Sequence, residues 1–215
     1  MPVYRIILLA VGLLGTIIAT QPSARAEDES ALKGLLIRGR MLAVIPQSSA
    51  DISGIGGTTD ISNAYVPELD LSWFFTKNIA VEAIAAITKH DVKATGTSIG
   101  SVDLGSVWLL PPTVLLQYHH PFANGFKPYV GAGVNYTVFF NEDAPGGTVT
   151  NINYDNTFGW ALQVGADYML NEHWLVNVDL KKLFINTDVS INNGAIKADV
   201  DINPWIVGVG LGYRF

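Results

Sequence analysis

Asp201-Ile202-Asn203-Pro204-Trp205-Ile206-Val207-Gly208-Val209-Gly210-Leu211-Gly212-Tyr213-Arg214-Phe215, the end of the chain, separates by parity into two faces. Counting back in twos gives Phe215, Tyr213, Leu211, Val209, Val207 and Trp205, while the alternate positions hold Arg214, Gly212, Gly210, Gly208 and Ile206. Successive strand residues point to opposite faces, so the stretch predicts a strand with one wholly apolar face. Glycine inside a strand usually marks close quarters, and here it occupies most of the other face. An apolar strand left as a sheet edge invites aggregation. Pairing the last strand with the first removes the edge, so closure into a barrel is the first expectation.

Upstream, the same period recurs. Strands are predicted at Leu35 to Val44, Ala64 to Phe75, Ile79 to Thr88, Val107 to His120, Lys127 to Phe140, Trp160 to Tyr168 and Trp174 to Ile185, with the terminal stretch as the eighth. Lys182 interrupts the seventh and predicts either a bulge or a side chain that snorkels to an interface. Three connections are short: Thr76 to Asn78, Pro121 to Gly125, and Asn171 to His173. Four are long and polar: Ile45 to Ser62, Lys89 to Ser106, Asn141 to Asn156, and Asn186 to Val200. Short and long alternate, so all short turns fall at one end of the sheet. This is the pattern of an outer-membrane barrel, in which closure satisfies every backbone group within the bilayer.

Composition agrees. Charged residues are 15% of the 215-residue chain and the mean hydropathy is +0.29, against about a quarter charged in ordinary soluble domains. Aromatic residues gather at both ends of the predicted strands, as interfacial belts do: Trp73, Tyr118, Tyr168 and Trp174 at the short turns, and Tyr65, Tyr136, Trp160 and Trp205 at the long loops. Residues 1–26, with Arg5 before the apolar run Ile6 to Thr20 and Ala24-Arg25-Ala26 at the end, are expected to be a secretory signal peptide cleaved before Glu27. That leaves 27–215 as one domain. Losing Arg5 and Arg25 reduces 13 basic residues to 11 against 19 acidic ones, a formal charge of −8, which disfavours nucleic acid as a partner. With no cysteine there is neither a disulfide framework nor a thiolate site.

The residues that carry a resemblance are Leu110-Pro111-Pro112-Thr113, Lys127-Pro128-Tyr129-Val130-Gly131-Ala132-Gly133-Val134-Asn135-Tyr136, Gln163-Val164-Gly165 with Asp167-Tyr168, and Asn203-Pro204-Trp205 with the closing Gly212-Tyr213-Arg214-Phe215. Across the mature chain they resemble the OmpW family (OmpW/AlkL-like proteins). The resemblance implies an all-β, monomeric, eight-stranded antiparallel transmembrane barrel in the bacterial outer membrane. It also implies a narrow apolar channel for passive uptake of small hydrophobic molecules, with a receptor role for phage or colicin in some members. Leu211, Tyr213 and Phe215 match the terminal signal read by outer-membrane assembly machinery.

Three sets of site residues follow. Pro67, Pro111, Pro112 and Pro204 each remove a ladder donor and suggest a loosely paired wall, a lateral exit by which a solute reaches the outer leaflet without crossing lipopolysaccharide. Leu115, Ile206 and Ile84 face inward and suggest an apolar lumen open to the outside. Below it Arg38, Arg40, Glu68, Asp70, Glu82, Asp167, Asp179, Lys181 and Arg214, with Gln117, face inward too. An eight-stranded barrel has room inside only for side chains or one small ligand, so these charges are expected to pair into an ionic plug. The alternative is a sealed structural or receptor barrel whose extracellular loops bind phage, colicin or host partners.

Nothing directs the chain to catalysis or to a cofactor. Adjacent His119 and His120 point to opposite strand faces and are expected at an exposed turn. His90, beside Asp91 and near Ser98 and Ser101, is expected in a polar loop.

Overall fold

The computed structural model describes residues 34–215; the expected signal peptide lies outside them. In chain order the strands are β1 (Leu35–Ile45), β2 (Ser49–Ile52), β3 (Thr58–Ile61), β4 (Ala64–Phe74), β5 (Ile79–Ala86), β6 (Thr88–Thr97), β7 (Gly100–Leu110) and β8 (Thr113–His119). They continue as β9 (Phe126–Asp143), β10 (Ile152–Tyr154), β11 (Thr157–Met169), β12 (Trp174–Phe184), β13 (Asn186–Ile191), β14 (Ile196–Asp201) and β15 (Trp205–Arg214).

Eight of them, β1, β4, β5, β8, β9, β11, β12 and β15, close into an antiparallel ring. The seam is the expected one: β15 pairs with β1 from Leu36↔Arg214 to Ile45↔Trp205 and with β12 on its other side. Short turns are locked locally. Thr76 Oγ1 accepts from the backbone of Asn78 and Ile79, and Asn171 Oδ1 accepts from His173 and Trp174, so each side chain mimics the turn's own backbone bond. Outward positions such as Leu69, Leu116, Val130, Leu162, Val178 and Val209 are each more than half exposed, a belt that water would not tolerate and lipid does. Lys182 makes no bulge, since its register runs unbroken to Leu162 and Trp205. Its ammonium reaches the Asn203 carbonyl at 2.5 Å and lies 5.0 Å from the centre of the Trp205 ring.

The long connections correct the sequence reading, which had them as loops. A membrane strand needs about 9–11 residues, and β9 has 18; its lower half pairs with β8 and its upper half with β7. Strands β7, β6 and β3 thus extend the barrel wall beyond the bilayer. The other long connections form a second sheet in the order β10, β13, β14, β2. Asn192 and Asn193, both at positive φ (52° and 58°), turn β13 into β14, the conformation a tight hairpin demands. Between the two sheets, Val92, Val107, Ile152, Val189 and Val200 pack into one apolar cluster continuous with Leu42, Ile84, Leu115 and Ile206 of the barrel. The barrel is therefore roofed by a packed canopy, and the chamber is not open to the outside as the residues alone suggested.

Candidate functional site

The floor of the lumen is built from β1 outward. Arg38 and Arg40 sit two apart and share the inward face, and register sets Asp70 opposite Arg38 and Glu68 opposite Arg40. On the other side their partners are Gly212 and Gly210. A Cβ on either glycine would lie 2.7 Å from the Cγ of the facing arginine. The glycine face of the last strand is thus the space into which the two arginines fold.

Arg38 Nε pairs with Asp70 at 2.9 Å, and its Nη2 with Glu82 at 2.7 Å; Nη1 reaches Asp167 at 3.3 Å. Arg40 Nη2 is 2.7 Å from both Asp70 and Glu82, Nε is 2.6 Å from Glu68, and Nη1 is 3.4 Å from Asp179. Arg40 Nε and Asp70 Oδ2 are close enough for ion pairing but misaligned for hydrogen bonds. Lys181 bridges Glu68 at 3.1 Å and Asp179 at 2.7 Å. Five carboxylates thus face three cations, all but inaccessible to water. Neutral donors share the excess negative charge. Gln117 and Gln163 donate to Glu82 at 2.9 and 2.8 Å, Tyr129 donates its hydroxyl to Asp179 at 2.7 Å, and Asn177 donates to Asp167 at 2.7 Å. Buried charge is tolerable only when paired and hydrogen-bonded in this way.

Arg214 stands apart. It is half-buried at the short-turn mouth, its guanidinium 5.0 Å from the centre of the Phe74 ring. It is paired in register with Leu36, below the level of Arg38, so strand position keeps it from the expected ion cluster. His119 corrects the sequence reading as well: it is 1% exposed, its Nε2 is 3.0 Å from Gln117 Oε1, and its ring lies against Phe74 and Tyr129. Sequence reasoning left Tyr129, Gln163, Asn177 and Ser72 out of the cluster. Alternation had put them on the inward face, but they carry no charge to draw attention.

Above the floor the lumen turns apolar. Glu68 and Lys181 form the base of a cavity of about 40 Å³ walled by Leu42, Val44, Ile84, Leu183 and Ile206, room for roughly three waters. Leu115 is fully buried in the same apolar cluster. Pro111 and Pro204 line this cavity and Pro67 does not. Pro67 faces outward from β4, opposite Met41.

The wall beside the cavity is incompletely paired. β5 meets β8 as far as Ile84↔Thr113, and β6 meets β7 from Thr88↔Leu109 in the same register. Between them Ala85, Ala86 and Ile87 face Leu110, Pro111 and Pro112 with no ladder pair. On the far side β4 stops pairing with β5 at Glu68↔Ala86, and β3 resumes with β6 at Ile61↔Val92. Both windows meet at Ile87. Two donorless prolines explain the first, and Pro67 begins the second.

His90, expected in a loop, is 4% exposed and points into the canopy from β6, while Asp91 next to it points out. Ser98 and Ser101 are exposed, so these side chains do not converge. Among the described residues no group of His, Asp and Glu is placed to hold a metal ion.

The OmpW family model matches residues 33–215. The outer-membrane protein y4mB of Sinorhizobium fredii is 42% identical over 203 residues, 91% of this chain and 87% of that protein. The dibenzothiophene metabolism operon protein PahQ of Pseudomonas aeruginosa is 31% identical, over 74% of this chain and 76% of its own length. The crystal structure of the outer membrane protein OprG from Pseudomonas aeruginosa superposes with a TM-score of 0.77 at 33% identity, covering 85% of this chain and 96% of that one. With its closed ring, lipid-facing belt and family match, this chain belongs to the OmpW family of bacterial outer-membrane β-barrel proteins.

Proposed function

We propose that this protein is a passive channel for small hydrophobic molecules, which enter through the canopy, occupy the apolar chamber and leave sideways into the outer leaflet. The observation that carries the reading is the coincidence of an apolar cavity with an unpaired wall: Pro111 lines the one and interrupts the other. The ionic floor blocks the route straight down, since an apolar solute gains nothing by displacing paired charges. The kinship with a protein of a dibenzothiophene metabolism operon supports an apolar cargo. The chamber is too small for such a cargo at rest, so passage requires the canopy and the wall to part. On this reading the partners are outer-membrane lipid, lipopolysaccharide and small hydrophobic ligands. The protein works as a monomer, and Leu211, Tyr213 and Phe215 present the last strand to the assembly machinery. The test is entry of a radiolabelled apolar solute into cells with an intact lipopolysaccharide layer. The channel raises the initial rate above an empty-vector control.

The packed canopy favours a second reading, a sealed barrel whose extracellular sheets are a receptor surface. Rates equal to the control would select it.

A further inference from the structure

Two apolar cavities lie one above the other, and three side chains line both: His90, Leu109 and Ile202. The lower is the chamber already described. The upper, about 20 Å³, lies between the canopy sheets and is walled by residues such as Ile52, Leu104, Phe139 and Val189. A solute moving directly from the upper cavity to the lower passes these three side chains, and one of them is an imidazole.

The state of that imidazole follows from its partner. His90 Nδ1 is 2.6 Å from the Ser62 carbonyl oxygen, which only accepts, so Nδ1 carries the proton. Burial lowers the affinity of the ring for a second proton below its ordinary range, so Nε2 keeps a free lone pair at neutral pH. Among the described residues Nε2 has no hydrogen-bond partner. The neighbouring Asp91 carboxylate faces outward, and Glu68 and Lys181 sit at the far end of the lower cavity. Thr59 lines the upper cavity, is 5% exposed, and its hydroxyl has no partner either. The Thr59 hydroxyl, sealed from solvent, loses hydrogen bonding that water would have supplied, and His90 Nε2 faces the passage without a protein donor.

We infer that His90 is a specificity-determining residue that selects apolar solutes bearing one hydroxyl, aromatic or aliphatic alcohols, over hydrocarbons of the same shape. The solute hydroxyl donates to His90 Nε2 at the partition, and the Thr59 hydroxyl donates to a solute oxygen in the cavity above. A site with an unmet acceptor favours the molecule that supplies the donor. One net hydrogen bond corresponds to about fivefold. The inference rests on the channel reading and names its cargo.

The test uses 1-naphthol and 1-methylnaphthalene, matched in shape and differing in the hydroxyl, both radiolabelled. Initial entry above an empty-vector control is measured in cells carrying the full-length protein, His90→Phe, His90→Leu or His90→Gln, with barrel assembly checked by heat-modifiable mobility. The wild type favours naphthol. In the Phe and Leu variants the ratio of naphthol to methylnaphthalene entry falls about fivefold. The Gln variant keeps most of the preference, because its amide oxygen accepts. An unchanged ratio in the Phe or Leu variant, or a wild type that carries both solutes equally, overturns the assignment of His90 and leaves the channel standing. A wild type that carries neither overturns the channel and this inference together.

Discussion

Arg40 and Gly210 are cross-strand partners at the seam of the barrel, and the arginine side chain lies in the space that a Cβ on the glycine would take. The same Cβ would also strike the Gly39 carbonyl oxygen, which is backbone and cannot rotate away. Gly210→Val is therefore expected to destabilise the barrel by about 3 kcal/mol or more, at or beyond the upper end for overpacked cores. A shift of the urea unfolding midpoint, read by heat-modifiable mobility, measures it. Gly146, whose Cβ would meet nothing, sits at a positive φ of 83°; its alanine variant should cost only the backbone penalty of about 1 kcal/mol.

Glu82 accepts from both arginines and from two glutamines. Removing its charge with Glu82→Gln leaves the positions filled but takes one carboxylate from each guanidinium, which keep Asp70, Asp167, Glu68 and Asp179. The expected loss is about 1–3 kcal/mol, the cost of weakening charged hydrogen bonds at buried groups that keep other partners. Arg38→Leu combined with Glu82→Leu should cost less than the sum of the two single changes, because the 2.7 Å pair between them is lost only once. Urea titrations of Glu82→Gln, of the two leucine singles and of their double variant in one detergent decide this.

Much of this ring was legible in the chain. Parity marked the glycine face of β15 and the inward charges of β1, β4 and β12, because a strand half in lipid and half in the lumen must alternate. The canopy was not legible by the same rule. Thr88, His90, Val92 and Ala94 do alternate with Lys89, Asp91 and Lys93. Their inward residues are small or polar, however, and the stretch is studded with glycine and serine, so period-2 hydrophobicity fades where no lipid demands it. Arg214 misled for the opposite reason. Its parity was right, but parity carries no information on height within the barrel.

Acid should loosen the canopy before the barrel. Burial depresses the His90 imidazole, so the unfolded or opened segment binds the proton that the packed one resists. Stability therefore falls as pH drops through the ordinary histidine range of about 6.5. Amide protection factors, which remove the intrinsic pH dependence of exchange, are expected to fall in β3 and β6 between pH 7 and pH 5 while those of β1 and β15 stay flat. His90→Gln should abolish the fall.

The central claim is that solute leaves through the unpaired window where Ala86 faces Pro111. The most direct test exploits a chain with no cysteine of its own: Ala86→Cys with Pro111→Cys, oxidised to a cross-link that gel mobility confirms, with entry of radiolabelled 1-methylnaphthalene measured before and after reduction. Entry should drop to the empty-vector rate when the window is tied shut and recover on reduction. Undiminished entry with the cross-link formed would contradict the lateral route.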